Sequence, residues 1–308
     1  MANNQLAVQK PKFSMVIGSD KMQRLINQTL GDRKKAERYT AAIMSAVATN
    51  PQLSKCEAVS IITGSLLAES LGLPHSPQLG RYFLVPFKVK AKDGIPEHYD
   101  AQFIMGYKGY VELAMKTGFY RKIIVLPVKQ GEFVRFDPFT EEYAFQYIED
   151  FSERDKAKTI GYYAMFEYLN GFKKVIYWTK DQMIKHADKY SPAFSAGATS
   201  GKYPKVSFAD YEAGRYDKSD AWLYSSYWYQ DFDGMGCKTM IRQLLSKWGM
   251  MSSELQQAYV ADGKEIETHE NGAFTVIDIE ETEPEPTLLT EPQQTVETTA
   301  EQINIDEL

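Results

Sequence analysis

Lysines and arginines interleaved with aromatic residues are the groups in this chain whose types and spacing could do chemistry. Lys88, Lys90 and Lys92 alternate along one stretch, and a period of two puts Lys88 and Lys90 on one face of a strand, in line with a phosphate backbone. The same row would also protect an edge strand, since lysines deter sheet-to-sheet pairing. Gly106-Tyr107-Lys108-Gly109-Tyr110 opens a helix whose free amides attract phosphate, with Lys108 adding charge. The two glycines either let a foreign backbone approach closely or relieve crowding around Tyr107 and Tyr110 in the core. Arg121-Lys122 and Lys173-Lys174 add charge at strand starts. Lys238 and Arg242 lie one turn apart on what reads as the exposed stripe of a late helix, where a simple solvated face is the rival reading. Together these features favour backbone-dominated, sequence-tolerant binding of nucleic acid.

Other chemistries lack their residues. The nearest approach to a phosphate-binding loop is Gly197-Ala198-Thr199-Ser200-Gly201-Lys202-Tyr203. That pattern needs four residues between its glycines and a hydroxyl residue after the lysine, and here there are three and a tyrosine. His75, His98, His186 and His269 are too scattered to make a zinc site with two distant cysteines, and no nucleophile motif supports a serine or cysteine triad. Two-metal nuclease chemistry needs clustered carboxylates at strand ends. Asp100 and Glu132 could supply two, but no acidic-x-lysine triplet stands on a strand beside them, and Asp32-Arg33-Lys34 falls in a helical linker. A metal-dependent nuclease stays open as the alternative function, and a purely structural assembly protein as a third.

The elements that must position these residues follow from periodicity. From Lys21 to about Val47, Met22, Leu25, Ile26 and Leu30, then Ala41, Met44 and Val47, sit at helical spacing. Ser54 to Glu57 reads as a capping box opening a helix that stops at Gly72-Leu73-Pro74. Strands are expected at 81–90 and 98–105 around the turn-like Asp93-Gly94, with Pro86 making the first an edge or a bulge. A helix spans Tyr107 to Thr117. Further strands lie at 123–128, 132–136, 160–168 and 172–178, the last two joined over Asn170-Gly171. Thr179 to Gln182 is a second capping box. Residues 191–227 lack sustained periodicity and read as a long inserted loop. The late helix starts near Asp233, with Met240, Ile241, Leu244, Leu245 and Trp248 expected in the core.

The fold class is therefore α+β, a central antiparallel sheet and hairpins flanked by helices. Three regions are expected: a flexible arm at 1–20, a DNA-binding and oligomerisation core at 21–262, and an acidic disordered partner-binding tail at 263–308. The net charge of −6 hides an asymmetry. Residues 263–308 hold 13 acidic residues and one basic, a net −12, leaving 34 basic against 28 acidic residues, a net +6, in the body. A mildly basic body with an acidic tail suits a nucleic-acid binder. No stretch approaches the ~20 apolar residues of a bilayer crossing, and the first residues do not open a signal peptide. Cys56 and Cys237 read as reduced core thiols of a cytoplasmic protein.

Read in order, several segments carry a family resemblance. They are Asn50-Pro51, Leu71-Gly72-Leu73, Leu84-Val85-Pro86-Phe87 and Gln102-Phe103-Ile104-Met105-Gly106-Tyr107-Lys108-Gly109. Gly118, Val128, Asn170-Gly171, Tyr177-Trp178-Thr179, Lys238-Thr239-Met240-Ile241-Arg242 and Lys247-Trp248-Gly249 follow. Over roughly residues 40–255 this order resembles the RecT family of phage-type single-strand annealing recombinases. The resemblance implies a RecT and Red-beta type annealase core with a basic groove, from a phage or prophage in a bacterial host. It implies a homo-oligomeric ring or filament that binds single-stranded DNA and the annealed duplex without ATP. A partner exonuclease and the host single-strand-binding protein are implied with it. It carries a DNA role onto Lys108, Lys238 and Arg242. With the residues above, Gln102 and Lys247 from the matching segments complete the candidate DNA-binding set. No catalytic residue, metal or nucleotide cofactor is expected. The stretch between Ser191 and Trp228 is longer than in compact members, which bears on contacts near the last helix.

Overall fold

The computed structural model describes residues 11–73, 79–91, 95–137, 139–140, 142–268 and 274–277. It opens with helices α1 (Phe13–Ile17), α2 (Asp20–Leu30), α3 (Arg33–Thr49) and α4 (Ala58–Ser70). The arm expected at 1–20 is thus partly structured, because Ile17 is fully buried in the core. The helical spacing expected from Lys21 to about Val47 falls in two helices, and the linker expected at Asp32-Arg33-Lys34 is the N-cap and first turn of α3. Gly31 at φ 64° ends α2 in the left-handed region, and the Asp32 carboxylate caps α3 by accepting from the Lys35 amide at 2.8 Å. The capping box expected at Ser54 does not form. Leu53–Lys55 is a 3-10 turn, and Ser54 Oγ donates back to the Pro51 carbonyl at 2.7 Å. α4 is buried on all sides from Ile61 to Ala68, the mark of a central helix.

Strands β1 (Tyr82–Val89) and β2 (His98–Met105) pair antiparallel, from Tyr82 opposite Met105 to Val89 opposite His98. The Asp93-Gly94 turn lies outside the described residues. Helix α5 (Tyr107–Lys116) leads into β3 (Tyr120–Lys129), the outer strand of a three-stranded antiparallel sheet with β6 (Thr159–Tyr168) at its centre and β7 (Lys173–Thr179) beyond. The turn between β6 and β7 is the expected one, with Gly171 at φ 86° and the Asn170 side chain accepting from the Phe172 amide at 3.0 Å. Between β3 and β6 the chain forms the hairpin β4 (Phe133–Asp137) and β5 (Glu142–Phe145), then α6 (Phe151–Lys156). Glu132 fixes this excursion. It is held by Arg154 at 2.6 Å and by the Lys129 amide at 2.8 Å. Burial works to raise the Glu132 pKa, and Arg154 with the backbone amides outweighs it, so the carboxyl ends below its ordinary value.

α7 (Lys180–Tyr190) begins at the capping box expected at Thr179, complete with Gln182. Residues 191–227 are not an open loop. They hold α8 (Phe208–Glu212), a 3-10 segment (Lys218–Tyr224) and the start of α9 (Tyr227–Gln230), with Phe194, Phe208, Leu223 and Tyr224 buried. Their aromatics pack at irregular spacing, Phe208 stacking on Phe232 at 4.8 Å and Tyr211 on Tyr224 at 4.8 Å, so the order leaves no periodic trace. α10 (Phe232–Trp248) crosses the three-stranded sheet and α11 (Ser253–Ala261) follows. The core also extends past residue 262. β8 (Glu265–Thr268) pairs with β9 (Phe274–Ile277), and Ile266 is buried. The fold is α+β, antiparallel sheets flanked by helices. Cys56 and Cys237 are free and buried, and burial pushes the Cys237 thiol up to about 12.

Candidate nucleic-acid interface

The candidate residues separate into an interior set and a surface set. Asp262 organises the interior one. Its carboxylate is 1 % exposed and accepts from four donors: the Met105 amide at 2.9 Å, Tyr110 Oη at 2.9 Å, Lys238 Nζ at 2.9 Å and Arg242 Nη1 at 2.6 Å. The Arg242 guanidinium also lies over the Tyr259 ring, 4.4 Å from its centroid. Lys238 and Arg242 are therefore not on an exposed stripe. Both turn inward to one acid, with side chains 14 % and 31 % exposed. Burial pushes the Lys238 pKa down, with the Asp262 carboxylate opposing it. Tyr110 and Gln102 are buried as well. No sequence pattern links Asp262 to residues 20 to 157 positions away.

Gly106 and Gly109 serve close packing within the chain. The Gly106 amide donates to the Arg81 carbonyl at 2.8 Å. A Cβ on either glycine would collide with the carbonyl oxygens of Gly80 or Arg81. Tyr107 and Lys108 instead face an open groove between α5 and the unpaired edge of β3, lined also by Val111, Glu112, Ile123, Ile124 and Val125. Lys108 is exposed. Glu112 pairs with Arg81 and with Lys116 at 2.9 Å. Burial would raise its pKa, but those two cations bring it below the ordinary carboxylate range.

Most of the surface cations meet at the end of the sheet near the turn that joins α5 to β3. Lys122 and Lys173 both stand opposite Glu167 in the sheet register. Arg121 reaches Glu167 at 3.2 Å and Lys173 reaches it at 3.8 Å. On the other face, Lys174 lies over the Trp248 ring at 4.2 Å, and Lys247 is exposed beside it at the end of α10. Large apolar side chains fill the spaces: Phe119, Leu169, Phe172, Trp248 and Met250 are between 47 % and 61 % exposed. They form one assembly. The Leu169 amide donates to the Phe119 carbonyl, Tyr168 Oη bridges the Trp248 carbonyl and the Met250 amide, and Phe172 stacks on Tyr168 at 5.8 Å. Five cations around exposed rings can hold phosphates and stack bases at once.

Sequence reasoning found these five cations but not their rings. Trp248 was expected in the core, yet it caps the sheet end in the open. The signal was its place directly after Lys247 and before Gly249, where the helix stops and its buried stripe ends. In the β1–β2 hairpin, Lys88 pairs with Glu97 at 3.0 Å and Lys90 is exposed, while Lys92 lies outside the described residues. Among the described residues no three His, Cys, Asp or Glu side chains are grouped to hold a metal ion, and no helix is long and apolar enough to cross a membrane.

Comparison with known proteins bears on the whole of this arrangement. The chain is 32 % identical over 284 residues to the uncharacterized protein YqaK of Bacillus subtilis (strain 168), covering 91 % of this chain and 84 % of that one. It is 23 % identical over 279 residues to Protein RecT of Escherichia coli (strain K12), covering 88 % and 90 %. The RecT family model matches residues 37–274, from α3 through the start of β9. The chain belongs to the RecT family, whose members are single-strand annealing recombination proteins and not catalytic enzymes.

Proposed function

We propose that the protein anneals complementary DNA strands without ATP, as a ring or filament whose subunits hold one strand along the sheet end. The observation that carries this is the sheet end, where Arg121, Lys122 and Lys173 gather about Glu167 on one face, Lys174 lies over Trp248 on the other with Lys247 next to it in sequence, and Phe119, Phe172 and Trp248 are exposed. Cations take the phosphates and rings take base faces, which every base has, so binding is tolerant of sequence. From there the strand follows the α5–β3 groove to Tyr107 and Lys108, and the β1–β2 hairpin with Lys88 and Lys90 offers a further phosphate contact. Lys238, Arg242 and Tyr110 act at one remove, holding α5, β2 and α10 in place around Asp262, and Gln102 is buried in β2. A body of net +6 makes few phosphate contacts per subunit, so neighbours on one strand must supply avidity. The acidic residues beyond 277 are offered as the contact for an exonuclease and a host single-strand-binding protein of a phage-infected cell.

Salt dependence tests this directly. Each of Lys122→Ala and Lys247→Ala should lower the slope of log affinity against log salt on oligothymidine by about 0.7, with the fold intact by circular dichroism. Unchanged slopes in both would remove the sheet end from the binding path. Labelled strands incubated with magnesium should keep their length; shortening would favour the nuclease alternative.

A further inference from the structure

The hairpin β4–β5 and α6 carry a surface that the DNA site does not use. One side is pinned inward, with Phe133 stacked on Tyr177 at 5.2 Å and Phe145 edge-on to Tyr163 at 5.0 Å. Phe136 joins that side by stacking on Tyr143 at 4.3 Å, while Val134, Phe139, Tyr147 and Phe151 are between 52 % and 96 % exposed. Scattered apolar residues on a surface are ordinary, but a concentration of large ones inside a polar rim marks a contact site. The rim is acidic. Residues 137–156 hold seven acidic and two basic residues, a net −5, and Glu142, Glu149, Asp150, Glu153 and Asp155 are exposed.

A surface of opposite sign stands elsewhere on the same chain. Residues 11–40 hold seven basic and three acidic residues, a net +4. Along α3, Lys34, Arg38, Ala41, Met44 and Ala48 are all exposed and follow one another at spacings of three and four, so they share one face. α3 packs on α1, α2 and α4, whereas β4–β5 packs on β6–β7. An acidic apolar patch and a basic apolar patch at separate places satisfy a head-to-tail contact, which closes into a ring or runs on as a helix.

We infer that the β4–β5–α6 face seats α3 of a second copy of this chain. The inference rests on the reading that the protein works as an assembly, and it names the two faces that would build it. Charge reversal tests it. One variant carries Glu142→Lys with Glu149→Lys, the other Lys34→Glu with Arg38→Glu, and sedimentation is followed with and without a long oligothymidine. Each variant alone should assemble only at about tenfold or more higher concentration than wild type, since every junction then opposes like charges. An equimolar mixture should reassemble, because each reversed face meets a complementary one on the other variant. Both variants should still bind a short oligonucleotide, which separates a failed interface from a failed DNA site. Wild-type-like assembly of either variant would overturn the inference. So would a mixture of folded variants that stays dissociated, or a wild-type chain that never associates.

Discussion

Replacing Asp262 with Ala removes the acceptor for four donors at once. Lys238 and Arg242 then keep their charges with no carboxylate, and the Met105 amide and Tyr110 hydroxyl lose their partner. Breaking a buried ion pair from one side costs about 3–5 kcal/mol, a large share of the ~5–15 kcal/mol that holds a domain folded. Lys238→Met is a milder change, since Arg242 stays on Asp262 at 2.6 Å; the loss of one charged hydrogen bond is about 1.5–3 kcal/mol. The double variant should be less damaged than the sum of the two, because the methionine removes a cation that Asp262→Ala would strand. Denaturant unfolding followed by circular dichroism measures all three, with oligothymidine affinity measured on the same samples. Asp262→Ala costing under about 1 kcal/mol would refute the node. So would a folded, stable Lys238→Met protein with tenfold weaker DNA binding, which would return Lys238 to direct contact.

Other consequences follow from the packing and charges. Gly109→Ala drives a methyl group into the Arg81 carbonyl and should cost about 1–3 kcal/mol in thermal or denaturant unfolding, whereas alanine at exposed Ala-tolerant positions of α5 should not. Glu132 has a folded pKa below its unfolded value of about 4.3. Its contribution is therefore present above that value and lost as pH falls through the lowered one, so the stability gap between wild type and Glu132→Gln should close below about pH 4. Truncation after Ile277 should leave annealing by the purified protein intact, whereas truncation after Asp262 should destabilise it by removing Ile266 from the core.

Much of this was legible where local pattern decides. The Asn170-Gly171 turn, the Thr179 capping box and the strands β1, β2, β3, β4, β6 and β7 all stand near their expected places, whereas the short β5 was not expected. The α3 start was not legible because its first turn, Arg33-Lys34-Lys35, is polar and reads as a linker, and only the Asp32 cap marks the helix. The 191–227 region was missed because ring-on-ring packing needs no period. At the site, the cations were legible by type, but their burial was not. Lys238 and Arg242 look like surface residues on a helix diagram, and only the distant Asp262 turns them inward. Trp248 looked like core for the opposite reason, an apolar residue on a buried stripe that outruns the body beneath it.

Trp248 offers the most direct test of the central claim. It is 49 % exposed, and of the four tryptophans the other three are buried or half-buried. Titrating oligothymidine into the wild-type protein should quench tryptophan fluorescence as bases stack on the ring. Trp248→Phe should bind with little quenching, and Trp248→Ala should lose about 1–3 kcal/mol of affinity. Undiminished quenching in Trp248→Phe, with wild-type affinity in Trp248→Ala, would place the strand somewhere other than the sheet end.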